Sequence, residues 1–205
     1  MEPIRYDESL LRAGLARLPR KHRAAFAAAC AERLFPAYVR FAHEARRGDP
    51  EALRTALNLL WDDLAGNPVS ELTLRASAEK CLALVPREDE EPWVESQPSA
   101  DDAAAALVYA IQSMVTDGTQ EAAWSARRAY DALDRVVMDG EPGIVVTELV
   151  AQRVLEHPLV QAELLRQRRD LDDLLGLGDR DVRELAAQLR DRSKEEAGVF
   201  FRAPS

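Results

Sequence analysis

Apolar residues recur along this chain at intervals of three and four, the spacing that lines one face of an α-helix. The first such stretch opens at Asp7 or Ser9 and carries Leu10, Leu11, Leu15 and Leu18. After the basic run Arg20-Lys21-His22-Arg23, a second helix carries Phe26, Cys30 and Leu34. Pro36 is expected to kink or restart that helix, because proline lacks the amide for the i−4 bond. Tyr38, Phe41 and Ala45 continue its stripe. The third helix is the best punctuated, with Asp49 as N-cap, Pro50 in the first turn and Gly66 at C′. Between those signals Leu53, Leu57, Leu60, Trp61 and Leu64 fall on one side. A fourth helix runs from Ser70 to about Leu84 and turns Leu74, Ala78, Cys81 and Leu82 inward.

From Pro86 to Pro98 the periodicity stops. Three prolines and the acids Glu88, Asp89, Glu90, Glu91 and Glu95 surround Trp93, which reads as a surface loop and not a domain boundary. Helical spacing then resumes. Ser99 is expected to cap a fifth helix carrying Leu107, Ile111 and Met114, and Thr119 a sixth carrying Ala126, Tyr130 and Leu133. Asp139 to Gly143 is a turn, followed by a short helix from Thr147 to Leu155. His157-Pro158 starts a longer helix that Gly176 and Gly178 end, and Asp179 is expected to cap the last one. The apolar tail Gly198-Val199-Phe200-Phe201 is expected to dock back on the bundle. Ile144-Val145-Val146 is the one strand-like stretch, and it is too short to found a sheet. The pattern predicts an all-α fold: a single compact bundle of about seven to nine helices over residues 1–205, with the acidic proline-rich loop at 86–98 on its surface.

Composition sharpens this picture. At 205 residues and 47% apolar, the chain can bury one core. Its net charge of −9 argues against a protein built to hold DNA or RNA, which needs a surplus of Lys and Arg, and suits a basic protein partner. Cys30 and Cys81 lie within apolar helical patterns and form no CxxC, so buried reduced thiols are expected. No basic segment followed by an apolar run opens the chain, and no apolar run approaches the ~20 residues of a membrane span. The expected location is the cytoplasm, with no membrane partner.

Candidate chemistry is sparse. Only His22, His43 and His157 could serve a nucleophile as base, and no GxSxG elbow accompanies them. Glu-x-x-His pairs of the di-iron type are missing. The acidic doublets Asp62-Asp63, Asp101-Asp102 and Asp172-Asp173 are adjacent, so their side chains diverge by ~100° on a helix and suit solvated faces or helix termini. The arginines at 127–128 and 166–169 have acids three or four residues on, as exposed ion pairs do. No catalytic residue, metal or cofactor is therefore assigned.

Two constellations remain. The first is the loop with Glu88, Asp89, Glu90, Glu91, Trp93 and Glu95, in which the indole either anchors a partner or pins its own loop to the core. The second is a pocket between helices drawing on Glu32, Arg33, Tyr38, Trp61 and His157.

The segments LPRKHRAAFAAACAERLFPAYVRF, LRTALNLLWDDL, ADDAAAALVYAIQSM and HPLVQAELLRQRRDLDDLL, in that order, resemble the YjaG-like family of bacterial helical proteins, a family of unknown function. The likeness runs from about Leu18 to Phe201 and is most specific at Cys30–Pro36, Leu57–Trp61 and His157–Val160. The loop at 86–98 and the link at 139–147 depart from the family. The resemblance implies an all-α fold and brings no catalytic residues. The stretch AAFAAACAERLFPAYVRF also looks like the opening of predicted all-α immunity proteins of bacterial polymorphic-toxin systems. That likeness implies a non-enzymatic protein covering a basic toxin domain. The competing expectations are an enzyme or ligand-binding protein using the inter-helix pocket, and a structural homo-oligomer.

Overall fold

The computed structural model describes residues 2–87, 92–140 and 148–197. Among them the chain forms nine α-helices and no strand. They are α1 (Glu8–Leu15), α2 (Arg20–Ala45), α3 (Pro50–Leu64), α4 (Glu71–Ala83), α5 (Gln97–Val115), α6 (Gln120–Asp139), α7 (Glu148–Glu156), α8 (Pro158–Leu177) and α9 (Arg183–Ala197). The predicted all-α bundle is thus the observed fold.

The centre of the bundle is α2, and its composition explains why. Residues Ala24 to Cys30 are buried on every side of the helix, a circumference of small residues around Phe26. Small side chains let a neighbouring backbone come close, and the neighbour is α5, whose Ala103, Ala104, Ala105 and Ala106 are also buried. Helices α3, α6 and α9 pack around the same axis. Pro36 does not divide α2, which runs unbroken through it. Leu34, Ala37, Tyr38 and Phe41 are buried on both sides of the proline, and that packing outweighs a local cost of about 3 kcal/mol.

Most helix ends follow local chemistry. The carboxylates of Asp7 and Asp49 and the hydroxyl of Ser70 accept from the amides of Leu10, Ala52 and Thr73. Gly66, beyond the end of α3, has φ +96°, a conformation glycine adopts without strain. Gly48 (φ +87°) is needed twice over, since a Cβ there would stand 2.8 Å from the Tyr38 hydroxyl. Two starts differ from expectation. Helix α5 begins at Gln97, so Ser99 is already helical and Pro98 sits in the first turn. Helix α9 begins at Arg183, whose amide donates to Asp181, and Asp179 belongs to the turn that follows Gly178. Parts of the expected turn and short helix, the strand-like Ile144–Val146, and the tail from Gly198 lie outside the described residues.

The apolar interior has two parts. The main core joins α2 to α5, α6, α3, α4 and α9. A second cluster of Leu133, Val150, Val154, Leu155, Val160 and Leu164 lies between the end of α6, α7 and the start of α8. Cys30 and Cys81 are buried free thiols.

His22, in the first turn of α2, is 3% exposed and faces the turn around Asp179, Arg180 and Asp181. Burial holds its imidazole below the ordinary histidine value of 6.5, against the pull of the Arg180 backbone and the two carboxylates. An unfolded chain therefore binds the proton more readily than the folded one. Stability from this group is intact above pH 6.5 and declines as pH falls below that value, until the folded histidine also protonates. A His22→Asn variant is expected to lose less thermal stability than wild type between about pH 7.5 and pH 5, by calorimetry at each pH. Parallel pH profiles for the two proteins would dismiss this role for His22.

Candidate functional site

Of the five side chains considered for an inter-helix pocket, Glu32 and Trp61 meet directly, whereas Arg33, Tyr38 and His157 make their polar contacts elsewhere. Glu32 and Arg33 are neighbours on α2, and the ~100° turn between them sends them to different helices. Glu32 faces α3: one carboxylate oxygen accepts from Arg54 (Nη1, 2.7 Å) and the other from the Trp61 indole (Nε1, 2.9 Å). Arg54 in turn lies over the Phe35 ring, 3.7 Å from its centre. The Tyr38 hydroxyl donates to the Leu84 carbonyl at 2.9 Å, at the end of α4. His157 stands away from the main core and caps α8, its Nδ1 accepting from the Leu159 amide. It lines a shallow pocket of about 330 Å³ with Val137, Met138, Val150 and Val154.

Arg33 faces α8, where it enters a charge network. Its Nε and Nη2 donate to Glu163 and its Nη1 to Asp170, at 3.0, 3.0 and 2.7 Å, and all three residues are fully buried. The second Asp170 oxygen accepts from Arg169 and Arg192, which continue to Glu196 and Asp173. Gln167 bridges Glu163 to the Ala126 carbonyl of α6. With Arg166 beside Glu163 and Glu196, four arginines face four carboxylates in this seam among the described residues. Burial opposes the charge on Arg33, and Glu163 and Asp170 overcome it, so the guanidinium stays protonated. The Cys30 thiol lies 3.4 Å from the same guanidinium, yet burial pushes its ionisation well above the usual range.

Sequence reasoning missed this seam. Its signal was the polar series Glu163, Gln167, Asp170 at four and three residue steps, on the side of α8 that also buries Val160 and Leu174. The acidic doublets need a similar correction. Asp102 is fully buried, in the second turn of α5, and accepts from Arg128 (3.0 Å) and Arg135 (2.6 Å). Asp63 is buried too, accepting from Lys21 and the Val69 amide. In these two doublets one carboxylate turns inward, where a long cationic side chain reaches it, whereas Asp172 and Asp173 both stay solvated. Of the expected exposed pairs, Arg127–Asp131 and Arg168–Asp172 form, whereas Arg128 and Arg169 turn to other acids.

The loop offers a different surface. Glu88, Asp89, Glu90 and Glu91 lie outside the described residues. Trp93 is 57% exposed, against 41% for Trp124 and 1% for Trp61, and Glu95 is exposed as well. The stem beneath them is firmly held. Gln97 donates to the Arg87 carbonyl at 2.7 Å and accepts from Arg47, which ties both ends of the loop to each other and to the end of α2. Ser96 donates to Glu44 of α2 at 2.5 Å. Burial pulls the Glu44 carboxyl upward, and Ser96 and Arg40 outweigh it, holding it below the ordinary range.

Among the described residues no group of three or more His, Cys, Asp and Glu could hold a metal ion, and no helix is long and apolar enough to cross a membrane. Fold and site together define an all-α bundle with a central alanine-rich helix, internally paired charges and one exposed tryptophan loop. The chain belongs to the family described as protein of unknown function (DUF416), which matches residues 11–199. It is 25% identical over 190 residues to "Uncharacterized protein YjaG" of Escherichia coli (strain K12), covering 91% of this chain and 94% of that one. The protein of the same name from Salmonella typhimurium is 24% identical over the same length. The crystal structure of a DUF416 family protein from Shewanella baltica OS155 shares the fold, with a TM-score of 0.78 at 21% identity over 89% of this chain and 92% of that one. The family likeness read from the sequence is thereby shown.

Proposed function

We propose that this protein acts by binding another protein, without chemistry of its own, and that Trp93 and the acids around it form the contact. The observation that carries the reading is the exposure of Trp93 on a loop with an anchored stem. An exposed indole on a pre-ordered support loses little freedom when it docks, and tryptophan is prominent among residues that dominate interface energies. The acid-rich loop and the net charge of −9 favour a basic partner. Its most concrete form is an immunity protein that covers a bacterial toxin domain, because such inhibition needs only a complementary surface.

The test is coexpression with the product of the adjacent gene, followed by titration calorimetry on the purified pair. A stable complex is expected. Trp93→Ala is expected to weaken it by about 30-fold, a loss of about 2 kcal/mol, with a further loss from Glu90→Lys and Glu91→Lys. A complex whose affinity is unchanged in the triple variant would remove the loop from the interface. Recovery of the protein alone from its native host after crosslinking would remove the partner itself.

A further inference from the structure

Residues 2–7 cross the bundle as an extended strap before α1 begins, with Ile4 and Tyr6 turned inward and Arg5 and Asp7 outward. The Ile4 amide donates to Gln161 Oε1 at 2.9 Å, and Gln161 Nε2 donates back to the Ile4 carbonyl at 2.9 Å. One side-chain amide thus satisfies both polar groups of one strap residue, as a neighbouring β-strand would. Gln161 is itself held in place by the Leu155 carbonyl at 2.7 Å. The Ile4 side chain packs on the second apolar cluster. The Tyr6 ring stacks on Tyr130 with centres 5.3 Å apart, Arg127 lies over both rings, and the Tyr6 hydroxyl donates to the Ala123 carbonyl at 3.1 Å.

None of these contacts depends on the strap being part of the same chain. Backbone recognition by Gln161 is indifferent to sequence, and the two sockets select an aliphatic residue and an aromatic one two positions later. From this geometry we infer that the α6–α8 face is a peptide-reading groove, occupied in cis by residues 3–6 and open to a partner's extended peptide of aliphatic-x-aromatic pattern. This surface is distinct from the Trp93 loop and stands or falls separately. A tethered segment competes at an effective concentration in the millimolar range, so the cis strap keeps weak peptides out and admits a partner that binds better.

The probe is a fluorescein-labelled peptide of sequence EPIRYDE, read by anisotropy against the full chain. An Ile4→Ala/Tyr6→Ala variant, its groove intact, is expected to bind the probe at least about ten-fold more tightly than wild type. Adding Gln161→Ala is expected to abolish that gain. A folded double variant with no saturable binding, or a gain that survives Gln161→Ala, overturns the inference. Should the double variant fail to fold, hydrogen exchange on the wild-type chain decides. The Ile4 amide must exchange at least about ten-fold faster than buried amides of α5 if the strap opens locally. Equal protection would mean that the strap leaves only on global unfolding, and the groove would then be no more than a structural clasp.

Discussion

An Arg33→Met variant is expected to unfold about 3–5 kcal/mol more easily than wild type in urea titrations followed by circular dichroism. The size of the effect comes from what is left behind. Glu163 and Asp170 are both fully buried, and Arg33 supplies Glu163 with its closest cationic partner. Arg166 approaches Glu163 only to 3.8 Å and cannot replace a two-point guanidinium contact. Asp170 fares better, because Arg169 and Arg192 remain on its other oxygen. The orphaned charge at Glu163 is therefore the main cost. Combining Arg33→Met with Glu163→Leu should recover most of the loss, since removing both members of a buried pair is often near neutral. A double variant as unstable as the single one would show that shape at α2–α8, and not charge, holds the seam together.

The second large effect is at Trp61. Trp61→Ala is expected to lower stability by about 3–5 kcal/mol, through the cavity left by a side chain that is 1% exposed. Trp61→Phe separates the two parts of that cost. It keeps much of the ring volume and removes the N–H that Glu32 accepts, so a loss of about 1–3 kcal/mol is expected from the buried carboxylate oxygen alone. Glu32→Gln tests the same bond from the other side, because its amide can still face the indole but loses the charge that Arg54 meets. If Trp61→Phe proves as damaging as Trp61→Ala, the indole N–H matters more than the ring volume.

How far the sequence foretold the molecule depends on the range of the interactions concerned. Asp49, Pro50 and Gly66 bracketed α3 correctly because caps act within four residues. Helix α9 starts later than Asp179 because Asp181 meets the Arg183 amide, and α5 starts earlier than Ser99 because distant contacts outweigh the local cap. At α5 the decision falls to Gln97, whose side chain reaches the Arg87 carbonyl and the Arg47 guanidinium. Glu32 and Arg33 are both expected in one inter-helix pocket with Tyr38, Trp61 and His157, yet they face different helices. Adjacency on a helix is what separates them, the same rotation that turned Asp102 and Asp63 inward and left Asp101 and Asp62 outside. Arg33 and Glu163 are 130 positions apart, and only a polar series inside an otherwise apolar helix face marked their meeting. The exposure of Trp93 could not be read locally, since an indole in a proline-rich loop is equally at home in either role.

The alanine contact between α2 and α5 has a consequence for how this chain can vary. Where two helices meet through side chains of a single carbon, nothing remains to trim except down to glycine, and every enlargement presses against a backbone with no rotamer to yield. Substitutions that chains of this fold tolerate should therefore collect on the outer helices, where long side chains can bend aside. Distant relatives would keep the spacing of this central pair long after their surfaces had become unrecognisable.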